Sequence, residues 1–212
     1  MSRRQQFSAS TKKTLVEVAE RLFTEHGYAS TSLDAIVAGA EVTKGALYHH
    51  FSGKQALFEA VFGRVEEDAT KRIRKAMKES KEPWEKANVA IRTFLSVARG
   101  SEYRRIVVQE GPAVLGYERY RELEERSTYS VVQEITKQVF PTQLFPPQLM
   151  ETVTRIMFGA LSSAGVQVSV AEDPDQEAGQ VEFILDFFLR SVRQQIDSAL
   201  ALVGEGSESA TS

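Results

Sequence analysis

The sequence contains no cysteine, which excludes disulfides, thiolate metal sites and a cysteine nucleophile and suits a reducing cytoplasm. No uninterrupted apolar run is long enough to cross a bilayer, and the N-terminal MSRRQQFSAS lacks the apolar core of a secretion signal. The expectation is a soluble, cytoplasmic chain without a membrane partner. Histidine is scarce as well, with 3 in all. His49 and His50 are consecutive, so on a helix they diverge by about 100° and are poorly placed to share a metal. No H-E-x-x-H or G-x-S-x-G is present. Gly53-Lys54 does not complete a phosphate loop, because Tyr48 stands where the earlier glycine is required and Gln55 where Ser or Thr is required. The expectation is therefore no enzyme, no metal and no cofactor.

What is present is helix. At 212 residues, 42% of them hydrophobic, the chain can bury a sizeable core. Its few prolines all mark breaks: Pro83, Pro112, Pro141, Pro146, Pro147 and Pro174. Helices are expected over 11–27, then through a helix-turn-helix, then from just after Ser52 to about Ser80 with Leu57, Phe58, Val61, Phe62 and Val65 as the apolar stripe. Further helices are expected over 84–99, 102–109, 117–140, 147–168 and 175–203. Ser52 and Gln55 are read as a capping box opening the long helix. No β-type alternation separates these segments, and the small polar tail is expected to be disordered. The net charge of −3 hides an asymmetry: residues 1–80 carry 13 Lys+Arg against 10 Asp+Glu, and the remainder 13 against 19. A basic end on an acidic body favours an oriented approach to a polyanion.

The densest information lies in TSLDAIVAGAEVTKGALYHHFSGKQAL, from Thr31 to Leu57. Thr31 with Asp34 reads as a capping box for a short helix whose apolar face is Leu33, Ile36, Val37 and Ala40. Thr43 caps a second helix, and Val42 and Leu47 can close as a hydrophobic staple. On that second helix Leu47 and Phe51 face inward. Gly45, Tyr48 and His49 face outward, with Lys44, Ala46 and His50 on the flanks. Small residues at a helix start allow close approach to a groove, while Tyr, His and Lys can reach phosphates and base edges. An ordinary αα-hairpin with a polar outer face has the same spacing.

The wording of this stretch resembles the DNA-binding domain of the TetR family of bacterial transcriptional regulators. The resemblance rests on Thr31, Gly45, Ala46, Leu47, Tyr48, His49, His50, Phe51 and Lys54, and upstream on Ala19, Leu22, Phe23, Gly27 and Tyr28. One departure is Glu41, which stands where the family often has Gly in the turn; a left-handed conformation there would cost about 1–2 kcal/mol. The resemblance implies an all-α fold: a three-helix helix-turn-helix domain over 1–54, joined by a long helix to a helical ligand-binding and dimerisation domain over 55–204, with a tail over 205–212. It also implies base contacts from Thr43, Lys44, Gly45 and Ala46, and phosphate contacts from Thr31, Tyr48, His49, His50 and Lys54.

Two further sets follow. In VEFILDFFLRSV the apolar residues Phe183, Ile184, Leu185, Phe187, Phe188 and Leu189 lie almost all round a helix, which must then be buried on most sides. Gly159, Ala160, Ser162, Ser163, Ala164 and Gly165 on the preceding helix allow close approach. A two-fold four-helix interface explains both, with Gly159, Ser163, Phe183, Ile184, Phe187, Phe188 and Ser191 as its candidates; the alternative is the central helix of a monomeric bundle. The resemblance further implies a small-molecule effector. Candidates to line its pocket are Trp84, Phe94, Tyr103, Gln109, Tyr117, Tyr120, Tyr129 and Phe158, each equally a candidate for plain core packing. The expected function is a ligand-responsive homodimeric regulator, in its favoured form a repressor that binds double-stranded DNA at a palindromic operator. The competing reading is a helical interaction or ligand-carrier protein whose helix-turn-helix does not bind DNA.

Overall fold

A computed structural model describes residues 3–209, with side chains described for 6–202. In chain order its helices are α1 (Arg3–Ser30), α2 (Leu33–Gly39), α3 (Lys44–His50), α4 (Lys54–Met77), α5 (Pro83–Ala98), a π-helix π1 (Tyr103–Glu110), α6 (Gly111–Leu115), α7 (Tyr117–Arg126), α8 (Thr128–Val139), α9 (Pro147–Val170) and α10 (Pro174–Ser209). There is no strand among the described residues. None of these helices is long and apolar enough to cross a membrane.

Several boundaries differ from the sequence expectation for local reasons. The segment read as 117–140 is two helices, because Ser127 leaves helical geometry at φ −116, ψ −99. The break expected at Gly111-Pro112 is instead the start of α6, where proline's missing N–H leaves no donor unsatisfied. Helix α10 runs on to Ser209, so residues 205–209 of the expected disordered tail are helical, and 210–212 lie outside the described residues. Gln55, read as a member of a capping box with Ser52, donates its amide to the Val114 carbonyl at 2.8 Å.

Two compact units are formed, one by residues up to Thr70 with Arg99–Thr128, the other by Lys71–Ala98 with the described residues from Tyr129 onward. The first unit thus takes in more than the expected 1–54 segment, adding the start of α4 and the π1–α7 stretch. Its core sits where the apolar stripes of α1 and α4 meet, with Leu15, Ala19, Phe23, Leu57, Phe58, Val61 and Phe62 at 0% exposure. Phe23, Tyr28 and Phe58 form a ring cluster with centroids 5.2–5.7 Å apart. Ile36 of α2 and Leu47 of α3 plug the helix-turn-helix into the same region, each fully buried. Helix π1 packs on α1. Polar ties join the later segment to the earlier one: Glu110 to the Tyr28 N–H, Gln55 to Val114, and Arg119 in an ion pair with Glu59.

The second unit packs α5, α9 and α10 about one cluster that includes Ala87, Ile91, Leu95, Ala164, Val168 and Leu189. Leu95 and Val168 lie at its closed centre. A neighbouring cluster of Val139, Phe140, Met150 and Ile196 ties the ends of α8, α9 and α10 together. Thr136 and Thr154 satisfy each other there at 2.8 Å, which allows two hydroxyls in an apolar setting.

Candidate functional site

Helix α3 is held at both ends by its own sequence. The Thr43 hydroxyl accepts the Ala46 N–H at 3.1 Å, as a capping residue should. At its other end the extended backbone of Phe51 stops the helix, and its N–H closes on the Leu47 carbonyl. The cap of α2 corrects the expectation: Ser32, not Thr31, accepts the Ala35 N–H at 3.1 Å. Thr31 is 3% exposed, and its hydroxyl donates to the Gly27 carbonyl at 2.8 Å with the Leu22 carbonyl also in reach. It locks the α1–α2 junction and, so placed, is not presented to a phosphate. Between α2 and α3, Glu41 adopts φ 54 and is the one non-glycine with positive φ among the described residues.

The remaining DNA-contact candidates sit on or beside α3. Thr43, Lys44, Gly45, Tyr48 and His49 are exposed, and Ala46 and His50 half-buried. A Cβ built on Gly45 would meet only Thr43 Oγ1, at 3.8 Å. Nothing in its own chain therefore requires glycine there, although glycine inside a helix costs about 1 kcal/mol relative to alanine. Lys44 pairs with Asp34 at 2.7 Å, and this hydrogen bond raises its pKa. The His49 and His50 rings meet edge to face at 5.0 Å. Burial, then the neighbouring His49, lowers the pKa of His50. Lys54 is occupied internally: its ammonium lies 3.3 Å from the Ala29 carbonyl and 4.4 Å from the centre of the Tyr28 ring.

The eight ligand candidates divide between the two units. In the second, Trp84 packs beside Phe140, Phe94 covers Gly165, and Tyr129 stands edge to face with Phe158 while its hydroxyl reaches Glu151 at 3.3 Å. Two clefts of that unit, about 440 and 410 Å³, are lined by other residues, from Glu85 to Arg190 and from Gln133 to Thr154. In the first unit, Tyr117 is 71% exposed and Gln109 pairs with Arg105 at 3.3 Å. Only Tyr103 and Tyr120 reach buried polar chemistry there.

That chemistry centres on Glu66, a carboxyl 1% exposed within α4. Oε2 accepts the hydroxyls of Ser127 and Thr128, and Tyr103 faces the same carboxyl, while Oε1 has no hydrogen-bond partner. Burial raises the Glu66 pKa. Beside it, Tyr120 donates to Glu124 at 2.9 Å, and burial pushes Glu124 up to about 7. Burial also raises both tyrosines. The sequence reading missed Glu66 and Glu124. The signal for Glu66 was available, because it stands one turn beyond Phe62 on the inward stripe of α4.

The dimer candidates split by face. On α10, Phe183, Ile184, Phe187 and Phe188 are 48–70% exposed, whereas Leu185 and Leu189 turn into the core. On α9, Gly159, Ala160 and Ser163 face outward with Ile156, while Ala164 and Gly165 face inward. Ser191 is half-buried, its hydroxyl donating to the Phe187 carbonyl at 2.9 Å.

Comparison with known proteins agrees with this architecture. Residues 15–61 match the family of bacterial regulatory proteins, tetR family, and residues 84–192 match the tetracyclin repressor-like C-terminal domain. The chain is 26% identical to the uncharacterized HTH-type transcriptional regulator YhgD of Bacillus subtilis over 132 residues, 62% of this chain and 69% of YhgD. It is 49% identical to the transposon Tn10 TetC protein of Escherichia coli over 53 residues, 25% of this chain and 27% of that protein. Other curated relatives are likewise matched over only about a fifth to a third of their length. A TetR-family transcriptional regulator from Pectobacterium atrosepticum superposes with TM-score 0.75 at 27% identity, covering 90% of this chain and 97% of that one. The chain belongs to the TetR family of bacterial regulatory proteins.

Proposed function

We propose that this protein is a homodimeric, effector-responsive transcriptional regulator that acts as a repressor at a palindromic operator. The observation that carries the reading is the outer face of α3, where Lys44, Gly45, Tyr48 and His49 stand exposed and Gly45 leaves open space beside them. Thr43 to Ala46 read base edges, and Tyr48, His49 and His50 hold phosphates. Lys54 adds charge at the start of α4 while bracing Tyr28. The exposed Phe183, Ile184, Phe187 and Phe188 of α10, with Gly159 and Ser163 of α9, form the two-fold interface, because so large an apolar patch is unfavourable in water. Two recognition helices then meet half-sites about 34–36 Å apart.

An effector releases the operator by binding more tightly to the form that does not fit DNA, and by linkage the operator weakens the effector equally. The exposed Lys44, Tyr48 and His49 beside the open space at Gly45 favour this reading over a carrier protein whose helix-turn-helix is idle. Fluorescence anisotropy of the protein on its own upstream DNA across a salt series tests the proposal. Saturable, sequence-dependent binding that weakens steeply with salt is expected, and Lys44→Ala should lower affinity and relax specificity. Absence of such binding overturns it.

A further inference from the structure

The buried polar cluster of the first unit is expensive as it stands. Glu66 Oε1 has no partner, and one turn further along the same face of α4 neither does the Thr70 hydroxyl, on a residue 6% exposed. Each buried, unsatisfied polar atom costs on the order of 1–3 kcal/mol, and natural interiors carry few of them without a reason. An apolar residue at either position would remove that cost. The groups that engage Glu66 are the hydroxyls of Ser127, Thr128 and Tyr103 and the Thr128 backbone N–H, and none brings a positive charge. A second carboxyl, Glu124, stands in the same electrostatic neighbourhood with the Tyr120 hydroxyl on it. The cation that acts on Glu124, Arg121, is itself held by Glu125 at 2.8 Å.

Two carboxyls, two tyrosines and two orphaned acceptors share one kind of complement. An ammonium or amidinium group supplies N–H donors to the acceptors, positive charge to the carboxyls and a partner for the aromatic faces. We propose that Glu66, Thr70, Tyr103, Tyr120 and Glu124 anchor the effector, and that the effector is a small organic cation bearing N–H donors; this rests on the effector-responsive reading above. Tyr120 and Glu124 are only partly buried and form the side of the cluster that solvent reaches. The ends of the cluster also suggest how occupancy is sensed. Tyr103 opens π1 and Glu110 closes it, and Glu110 holds the backbone of Tyr28 at the end of α1. A ligand that draws Tyr103 toward itself pulls on the element that fixes the end of α1.

Isothermal titration calorimetry on the full chain, without DNA, tests the ligand class using benzylammonium, benzyl alcohol and benzoate, which share a shape and differ in charge. Saturable binding of benzylammonium alone is expected, weakened at least about tenfold in Glu66→Gln and by less in Thr70→Val. A thermal melt of each variant shows that it is folded, and Glu124→Gln provides a second carboxyl variant. Equal or tighter binding of benzoate overturns the proposal. So does binding of none of the three, or benzylammonium affinity unchanged in folded Glu66→Gln. Operator binding measured in parallel separates the two ideas. A protein that binds DNA but no cation fails only this inference, and one that binds the cation but no DNA fails only the regulator reading.

Discussion

The carboxylate of Glu110 holds the backbone N–H of Tyr28 with both oxygens, at 2.9 and 2.8 Å, across 82 positions of sequence. It does so where α1 bends, immediately after Gly27 at φ 81, and a Cβ on that glycine would lie 2.7 Å from Glu110 Oε1. Glycine is therefore required twice over, for the left-handed backbone and for the approach of the carboxylate. Glu110→Ala leaves a backbone donor without its charged acceptor and should lower unfolding free energy by about 1.5–3 kcal/mol. Glu110→Gln keeps a neutral acceptor and should lose less. Urea denaturation of the two variants checks the order.

Glu41 is strained by its position in the turn. Relief of a left-handed non-glycine conformation is worth about 1–2 kcal/mol, while glycine's extra unfolded-state entropy takes back roughly 0.5–1 kcal/mol. Glu41→Gly should therefore stabilise the protein by no more than about 1.5 kcal/mol, and the midpoint of a urea titration should rise accordingly.

Gly45 separates fold from function. With no atom of the chain closer than 3.8 Å to the place a methyl group would occupy, Gly45→Ala should raise stability by about 1 kcal/mol through helix propensity. Operator affinity should fall all the same, because the methyl group meets the groove. A variant with a higher melting temperature and undiminished affinity would place the groove contact elsewhere.

Phe187 is 58% exposed, so Phe187→Glu should leave the isolated protomer's stability within about 0.5 kcal/mol. At the centre of the α10 face the same change should weaken self-association at least tenfold, as loss of a central aromatic anchor does at interfaces. Analytical ultracentrifugation of the wild type and variant over a dilution series measures this.

The buried carboxyls give stability a pH dependence of unusual sign. Glu124 is raised from 4.5 to about 7, and Glu66 is raised too. In the folded protein they hold protons that the unfolded chain has released above about pH 4.5. The Glu124 contribution is therefore complete below that pH and is lost as pH rises through about 7, by at most about 3 kcal/mol, and Glu66 acts in the same direction. Melting temperature should fall between pH 5 and pH 8, and the fall should flatten in Glu66→Gln/Glu124→Gln.

Local signals were legible wherever one helix carries its own instructions. The cap at Thr43, the inward turn of Leu47 and the break in helical geometry at Gly27 all depend on neighbours within a few residues, and the structure shows each of them. The Thr31 cap failed because two residues of the right type are adjacent. Ser32 is placed to meet the Ala35 N–H, while the α1 end claims the Thr31 hydroxyl. The Gln55 amide likewise donates to the Val114 carbonyl 59 residues away, a partner that no local pattern indicates. Periodicity showed that α10 is apolar on more than one side, and exposure then sorted Phe183 and Phe187 from Leu185 and Leu189.

Composition, capping and the wording around α3 were enough, by themselves, to determine an all-α chain with a helix-turn-helix and the family to which it belongs, because these are written in short-range patterns. Only the tertiary structure decided that π1, α6 and α7 share a compact unit with the helix-turn-helix, and that Glu66 meets Tyr103 out of water. A side chain's solvation depends on segments that arrive from about 40 to 60 positions away, and no local pattern records which of them will close over a carboxylate.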